Sequence, residues 1–264
     1  MKLGVIGLGN MATAMIAGII RSGLISSADI TGSDTDPGKR EKAEKSYGIR
    51  TADSNEDAIR NCDYVILAVK PQVYETVLPQ IESAMKKEQV IISIAPGKTI
   101  SYLEQRLVKG AKIVRIMPNN PALVGEGCTG VCRNENVSPE EYDFVMKMFA
   151  GFGKAFGVKE SQMDAVVAVS GSSPAYVFML IDAMADGAVA QGLDRETAIK
   201  MAAQAVMGSA KMVLETGKHP AELKDMVCSP AGTTIDAVAV LEKGGFRGTV
   251  IDAMCICAEK SRKI

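Results

Sequence analysis

GVIGLGNMATAM, residues 4–15, joins a short apolar run to a helical pattern through a glycine-containing turn. Gly7, Gly9 and Ala12 have the spacing G-x-G-x-x-A, which occurs where the first strand of a doubly wound sheet turns into its first helix. There Gly7 permits the tight turn, Gly9 lets the backbone approach a pyrophosphate, and Ala12 lets the helix pack closely on the strand. The stretch therefore predicts a phosphate-binding turn, with a turn that binds no ligand as the alternative.

The first half of the chain alternates short apolar runs with helical patterns. Strands are predicted at 2–8, 29–34, 62–69, 89–95 and 112–118, and helices at 11–22, 37–47, 55–60, 74–86 and 101–108. Nearly continuous apolar strands are typical of a parallel sheet with helices on both faces. We therefore predict an α/β fold with an N-terminal Rossmann-like parallel sheet domain, closed by a strand near 130–134 and a helix over 138–150.

The strand pattern stops at about Gly157, and the rest of the chain has only helical patterns. Helices are predicted at 176–191, 194–215, 220–227, 234–243 and 248–260. Several of these are apolar or small nearly all round, so one layer of neighbours would not cover them. We expect residues 1–157 to bind a dinucleotide. We expect residues 158–264 to form an all-helical substrate-binding and dimerisation domain that makes a homodimer or higher homo-oligomer.

The amino-acid composition argues against some classes of binding partner. The 30 basic and 31 acidic residues nearly cancel, which removes the electrostatic footprint of a nucleic-acid or anionic-membrane binder. Gly7, Gly9 and Asn10 interrupt the apolar N-terminus, so it makes a poor secretory signal. Ser, Gly, Pro and Asp interrupt the longest apolar window, 165–190. We expect a cytoplasmic protein with a small-molecule substrate and no membrane or nucleic-acid partner.

The sequence contains few residues in a pattern that could bind a metal ion. Its six cysteines do not show C-x₂-C spacing and there is one histidine, so buried, reduced thiols are expected and no metal site. His219, before Pro220, is expected to cap a helix rather than to transfer protons. Asp182 and Asp186 lie on one helix face and are expected to make hydrogen bonds between helices or subunits. The remaining periodic feature is a set of methionines expected in the core or an interface: Met179, Met184, Met201, Met207 and Met212.

The end of the second strand leaves the choice between NADH and NADPH open. Asp34 is placed to accept hydrogen bonds from an unmodified ribose, whereas Ser33, Thr35 and a cation at Lys39 or Arg40 could accommodate a 2′-phosphate. Turn chemistry before Pro37 is an equally good explanation of Asp34.

SPAGTT, residues 229–234, places three hydroxyls, a proline and a glycine before an apolar-periodic helix. Free N–H groups at the start of that helix would form an anion site, and Gly232 would allow close approach of its backbone. Ordinary N-capping by Ser229 or a threonine is the alternative.

Several long motifs follow one another in a familiar order. They are GLGNMA (7–12), AVKPQ (68–72), SIAPG (93–97), RIMPNNPALVGEG (115–127), VSGSSPAYVF (169–178), GKHPAELKDMVCSPAGTTI (217–235) and LEKGGFRG (241–248). In these motifs the chain resembles the pyrroline-5-carboxylate reductase family over nearly its whole length. It departs from the family's usual residues at Thr35, Ser173, Met226 and Ala231, the last of which stands where the family usually has glycine.

The resemblance implies reduction of 1-pyrroline-5-carboxylate to L-proline by NADPH or NADH, the last step of proline biosynthesis. It implies that the substrate carboxylate lies on Gly232, Thr233 and Thr234 and that Glu160 is an acidic residue near the substrate. The Thr234 hydroxyl, the predicted catalytic group, can then reach the imine nitrogen. Ser229 is the remaining substrate-binding candidate. Another imine reductase and a non-catalytic NAD(P) sensor are the alternatives.

The cofactor residues come from the turn, the second strand end and the resemblance together. Lys70 among them has two interpretations, a general acid or phosphate clamp and a solvent-facing turn lysine. The full set is Gly7, Leu8, Gly9, Asn10, Met11, Ala12, Ser33, Asp34, Asn55, Ala68, Val69, Lys70, Pro71, Ala95 and Gly97.

Overall fold

The structure is a computed structural model that describes residues 1–263. Its first half is built on one sheet of eight strands in the order β3-β2-β1-β4-β5-β6-β7-β8. The strands are β1 Leu3–Ile6, β2 Ile30–Ser33, β3 Arg50–Ala52, β4 Tyr64–Leu67, β5 Val90–Ser93, β6 Lys112–Met117, β7 Gly127–Arg133 and β8 Gly153–Gly157. Strands β1 to β6 pair in parallel, β7 is antiparallel to β6, and β8 is parallel to β7. The predicted fold class is confirmed.

Helices cover both faces of this sheet and make up the rest of the chain. In the first half they are α1 Asn10–Arg21, α2 Pro37–Tyr47, α3 Asn55–Ile59, α4 Tyr74–Ala84, α5 Ile100–Glu104 and α6 Pro139–Ala150. In the second half they are α7 Met163–Val166, α8 Ser173–Ala190, α9 Arg195–Thr216, α10 Pro220–Val227, α11 Thr233–Lys243 and α12 Phe246–Ser261, with a π-helical turn at Val167–Gly171 between α7 and α8.

The buried side chains form two apolar clusters, one on each face of the sheet. Leu3 and Val5 of β1 belong to one cluster with α1 and α6, whereas Ile6 of the same strand belongs to the other, with α3 and α4. Successive residues of a strand point to opposite faces, so a strand buried on both faces must be apolar throughout. This is why the central strands were visible as continuous apolar runs.

Two strands were not predicted, and both lie at an outer position of the sheet. β3 is only Arg50, Thr51 and Ala52 and pairs with β2 alone, while β8 begins and ends with glycine and pairs with β7 alone. An edge strand is covered on fewer sides, so its sequence need not be apolar. These strands therefore lack the signal that identified the others.

The chain divides into two compact units. The first comprises residues 1–172 together with the C-terminal residues from 257, and the second is Ser173–Ile256. The division differs from the predicted boundary at 157/158 because Met163 is buried in the core of the first unit, with Val166 and Val167 packed against it. The chain end also returns to the first unit. There the Ser261 hydroxyl donates to Asp164 at 2.7 Å, and the Cys257 thiol donates to Ser172 at 3.2 Å. The assignment of 1–157 and 158–264 as functional domains stays a prediction.

The second unit buries very little of its own apolar surface. Its buried residues are the small side chains Ala185, Ala198 and Ala202. The five methionines of the predicted stripe are exposed, Met179 by 72%, so a place in the core of this chain is wrong for them. An exposed apolar surface of this extent marks an interaction site. Of the two expected places for the methionines, core or interface, the interface therefore remains.

One helical run, Glu160–Ala190, is long and apolar enough to span a membrane by length and composition alone, with a mean hydropathy of 1.4 and 11% of its window buried. Its C-terminal part is α8, an exposed helix of the second unit, and an interface helix without its partner has the same properties. The expectation of no membrane partner therefore stays a prediction.

Candidate functional site

The turn between β1 and α1 has the geometry that its glycines predicted. Gly7 adopts φ +91°, and a Cβ built there would lie 2.8 Å from the Ala68 carbonyl oxygen and from Val69 Cγ1. Gly9 adopts φ −75°, and a Cβ there would have no neighbour within 4 Å. Ala12, in the first turn of α1, is buried. Gly7 is therefore required by the fold itself, whereas Gly9 leaves open space over the backbone.

The N-terminus of α1 is open to an anion. Gly9 is its N-cap and supplies no side-chain acceptor, and the first turn contains no acidic residue. The early N–H groups, at Asn10 and Met11, thus have no intrahelical acceptor, and the helix dipole favours negative charge there. Open space beside Gly9 and an uncapped helix end are what a pyrophosphate group needs.

Asp34, directly after β2, braces this turn. Its carboxylate accepts the backbone N–H of Leu8 and of Asp36, each at 2.9 Å, and lies 3.5 Å from the Lys39 ammonium. Burial alone would raise the pKa of Asp34, but the N–H groups of Asp36 and Leu8 and the Lys39 charge lower it below its ordinary value. The Leu8 N–H is therefore already bonded within the protein, and Leu8 shapes the turn rather than presenting its N–H to a ligand.

A second polar chain runs from the end of β2 to the start of α3. The Ser33 hydroxyl donates to the Asn55 side-chain oxygen at 2.6 Å, and the Asn55 amide donates to Gln80 at 2.6 Å. Nearby, Arg40 donates to the Asp34 carbonyl at 2.6 Å and pairs with Asp53 at 2.9 Å. Ser33 and Asn55 are thus brought together, and the Arg40 guanidinium is already bonded.

The ends of β4 and β5 complete the same edge of the sheet. The Ala68 N–H bonds the Ile6 carbonyl at 2.8 Å, so the segment after β4 lies beside the glycine turn. Lys70 is exposed, and Pro71 follows it into a short 3₁₀ turn. After β5, Ala95 is buried and Gly97 adopts φ +74°.

These placements put the predicted cofactor residues after the carboxyl ends of β3, β2, β1, β4 and β5, which are neighbours in the sheet. The strand order reverses between β1 and β4, and dinucleotides bind at such a switch point. The open space at Gly9 and the uncapped α1 fit a pyrophosphate. The residues present therefore fit a dinucleotide, although which of them contact it stays a prediction.

Glu160 lies in the first unit, beside the start of α5. Its carboxylate accepts the backbone N–H of Ile100 at 2.6 Å and a hydrogen bond from Arg115 Nη1 at 3.2 Å. Burial, and after it the negative charge of Glu160, raises the pKa of the nearby Cys132 thiol to about 12, although the Arg115 charge acts in the opposite direction. Sequence reasoning missed Arg115, although an arginine inside the apolar strand KIVRIM signals a buried charge that needs an acidic partner.

The 229–234 segment lies in the second unit and makes a tight turn into α11. The Gly232 N–H bonds the Ser229 carbonyl at 3.1 Å, with Pro230 and Ala231 at the two central positions. Gly232 is the N-cap of α11 and has no side-chain cap hydrogen bond. A Cβ on Gly232 would lie 2.3 Å from the Ser229 hydroxyl oxygen, so a larger residue would displace that hydroxyl.

N-capping by Ser229 or a threonine is therefore wrong, because no side chain among residues 1–263 caps α11. The N–H groups of its first turn, at Thr233 and Thr234, remain available to an anion. Across residues 1–263, the Thr234 hydroxyl has no hydrogen-bond partner. Ser229, Gly232, Thr233 and Thr234 are thus brought together around one helix end.

Ala231 is the one non-glycine residue with positive φ in the described part of the chain, at φ +54°. Proline at the second position and positive φ at the third are the pattern of a type II turn, which favours glycine at the third.

Ala231→Gly should therefore stabilise the protein. Relief of the left-handed backbone is worth about 1–2 kcal/mol, and the added freedom of the unfolded chain cancels about 0.4–1 kcal/mol of it. Denaturant unfolding at matched protein concentration measures the change. Ala237→Gly, in the exposed middle of α11, is the matched control and should destabilise by about 1 kcal/mol. A loss of stability in Ala231→Gly would contradict the strain.

Two other polar candidates have structural partners. His219 caps α10, with Nδ1 accepting the Ala221 N–H at 3.2 Å, as predicted. Asp186 pairs with Arg195 of α9 at 2.6 Å, which confirms a contact between helices. Among residues 1–263 no cluster of histidine, cysteine, aspartate and glutamate side chains could hold a metal ion.

Comparison with known protein families matches both parts of the chain. Residues 160–264 match the family model described as pyrroline-5-carboxylate reductase dimerisation. Residues 2–97 match the model described as NADP oxidoreductase, coenzyme F420-dependent.

Relatives found by sequence and relatives found by structure share one name, and they match over nearly their full length. The pyrroline-5-carboxylate reductase of Escherichia coli is 49% identical over 100% of this chain and 98% of its own, and that of Methanosarcina acetivorans is 43% identical over 100% and 97%. The crystal structure of Plasmodium falciparum pyrroline carboxylate reductase with NADP bound superposes with a TM-score of 0.90 at 35% identity, covering 99% of this chain and 97% of that one. With identity of this level across both compact units, the chain belongs to the pyrroline-5-carboxylate reductase family.

Proposed function

We propose that this protein reduces 1-pyrroline-5-carboxylate to L-proline with NADPH or NADH, the last step of proline biosynthesis. The observation that carries the proposal is the full-length identity to named pyrroline-5-carboxylate reductases, 49% for the bacterial relative. The open space beside Gly9 at the N-terminus of α1 supports the cofactor half of the reaction. The NADP in the Plasmodium structure supports the same class of cofactor.

The reaction converts a C=N bond into a C–N single bond. Bound NAD(P)H supplies the hydride that adds to C5 of the cyclic imine. The electron pair of the double bond moves to the ring nitrogen, which carries the proton of the product amine. An iminium is a good electrophile, so the protein need not contain a strong acid. Orientation and fixed dipoles can then provide most of the barrier lowering.

The first turn of α11 is the proposed substrate site. Its N–H groups, from Thr233 onward, would bind the substrate carboxylate, because the cap at Gly232 leaves them without side-chain acceptors. The Thr234 hydroxyl would donate a hydrogen bond to the ring nitrogen as its electron pair develops. Ser229 would hold the turn closed around Gly232.

The cofactor would lie on the sheet edge of the first unit. The N-terminus of α1 would bind the pyrophosphate and Asp34 would face the adenosine ribose. Lys39 lies near that carboxylate and is about half exposed, so it can neutralise a 2′-phosphate. This mixed environment supports use of both NADPH and NADH. Lys70 faces solvent in this chain, which supports the turn-lysine interpretation over general acid catalysis.

The exposed helices of the second unit would pair with those of a second copy. The dimerisation family model covers this segment, and the apolar surface needs a partner. We expect a homodimer or a higher homo-oligomer in the cytoplasm.

Purified protein should oxidise NADPH or NADH when 1-pyrroline-5-carboxylate is added, followed as loss of absorbance at the nicotinamide band. Running both cofactors with pyrroline-5-carboxylate and with an unsubstituted cyclic imine separates the proposal from a general imine reductase. Cofactor binding without turnover, in a folded oligomeric sample, would instead indicate a non-catalytic sensor and contradict the proposal.

A further inference from the structure

We propose that Glu160 is a positioning residue for the cofactor loop after β5, and not a residue that binds the substrate. The inference rests on the proposed function and concerns residues 94–99, the loop between β5 and α5. This loop includes Ala95 and Gly97, both predicted to contact the cofactor.

Glu160 fixes the far end of this loop. Its carboxylate accepts the Ile100 N–H, the first of α5, at 2.6 Å. The Thr99 side chain accepts the Tyr102 N–H at 3.1 Å and so caps the same helix. Glu160 thus binds an N–H group that the N-cap leaves free. The near end is held by Ser93, whose hydroxyl accepts the Ala95 N–H at 3.5 Å. The loop is therefore fixed at both ends.

Arg115 keeps Glu160 in place. It is 4% exposed and lies on β6, where it is paired with Ser93 of β5, at the base of the same loop. Within the described chain its Nε has no partner, and the Nη1 contact to Glu160 is its one ion pair. A buried guanidinium strongly favours an adjacent carboxylate, because an unpaired buried charge is costly. The Glu160 carboxylate is thereby oriented toward the sheet.

Contacts within the protein hold the Glu160 carboxylate. The same carboxylate oxygen, Oε1, accepts both the Ile100 and the Arg115 hydrogen bonds, and only 33% of the side chain is exposed. Glu160 is also the first residue that the dimerisation family model matches. It therefore connects the start of that segment with the loop predicted to bind the cofactor.

Glu160→Ala and Glu160→Gln form the test pair. Alanine removes the acceptor for the Ile100 N–H, whereas glutamine keeps an acceptor oxygen and loses the charge. The readout is NADPH fluorescence titration without imine, which reports binding independently of turnover. Glu160→Ala should weaken NADPH binding about 3- to 10-fold, as expected for one lost hydrogen bond. Glu160→Gln should stay within about 2-fold of the wild type, and KM for the imine should be unchanged in both.

The alanine variant also leaves Arg115 buried without its partner and could fail to fold. Arg115→Met/Glu160→Ala and Arg115→Met/Glu160→Gln remove both charges and compare the acceptor alone. The same difference in NADPH affinity between these two is expected. A raised imine KM with unchanged NADPH affinity would restore Glu160 to the substrate, and no change in either would make it a structural anchor only; both results overturn the proposal. Turnover by the wild type tests the proposed function separately.

Discussion

Thr234→Ala is expected to lower kcat by about 100-fold, the effect typical of removing one hydrogen-bond donor aimed at developing charge. Thr234 is the second residue of α11, and its hydroxyl is unpaired within the part of the chain that the structure describes. Its removal therefore breaks no hydrogen bond of the folded protein. The loss should appear in the rate, because the hydrogen bond to nitrogen strengthens as the electron pair of the C=N bond localises there.

The comparison that checks this prediction needs three variants and two measurements. Thr234→Ser keeps the hydroxyl and should recover most of the rate. Thr233→Ala keeps the backbone N–H proposed to bind the carboxylate and should change kcat only a few-fold, about 2 to 5. NADPH affinity should stay near that of the wild type in all of them. Equal losses of kcat and of NADPH affinity in Thr234→Ala would reassign Thr234 to a structural role.

The fold could be predicted from sequence wherever burial constrains it. Strands covered on both faces are apolar, and helices end at residues such as Gly48 and Gly217, which adopt positive φ. β3 and β8 lie outside the covered centre of the sheet, so their residues carry no comparable pattern. The unit boundary depends on the return of the chain end to Asp164, a contact between residues 97 positions apart that no local signal reports.

In the candidate site, too, local segments could be predicted from the sequence, whereas contacts between distant residues could not. The glycine turn and the 229–234 segment are local, so their residues predicted their own geometry. Glu160 is different, because its partners Ile100 and Arg115 are 60 and 45 residues away in the chain. The family resemblance assigned Glu160 to the substrate, and only the pairing across elements identifies the loop that it holds. Ala231 adopts the positive φ that the third position of a type II turn needs, so this turn forms here without glycine.

Gly9→Ala should weaken NADPH binding by about 10- to 100-fold, the equivalent of one lost hydrogen bond to a charged group, and leave the fold intact. The new methyl group would have no atom of residues 1–263 within 4 Å apart from its neighbours in the chain, on a backbone at φ −75° that alanine adopts readily. The free energy of unfolding should change by less than about 1 kcal/mol, because the poorer N-cap and the stiffer unfolded chain oppose each other.

Gly7→Ala is the matched control two residues away, and it should behave in the opposite way. Its methyl group would meet the Ala68 carbonyl and the Val69 side chain at 2.8 Å on a backbone at φ +91°, so it should destabilise the free protein by about 2–5 kcal/mol. Thermal unfolding without cofactor and NADPH fluorescence titration separate the two variants. If Gly9→Ala bound NADPH as tightly as the wild type, the space beside Gly9 would not hold the pyrophosphate. The turn would then serve only to join β1 to α1.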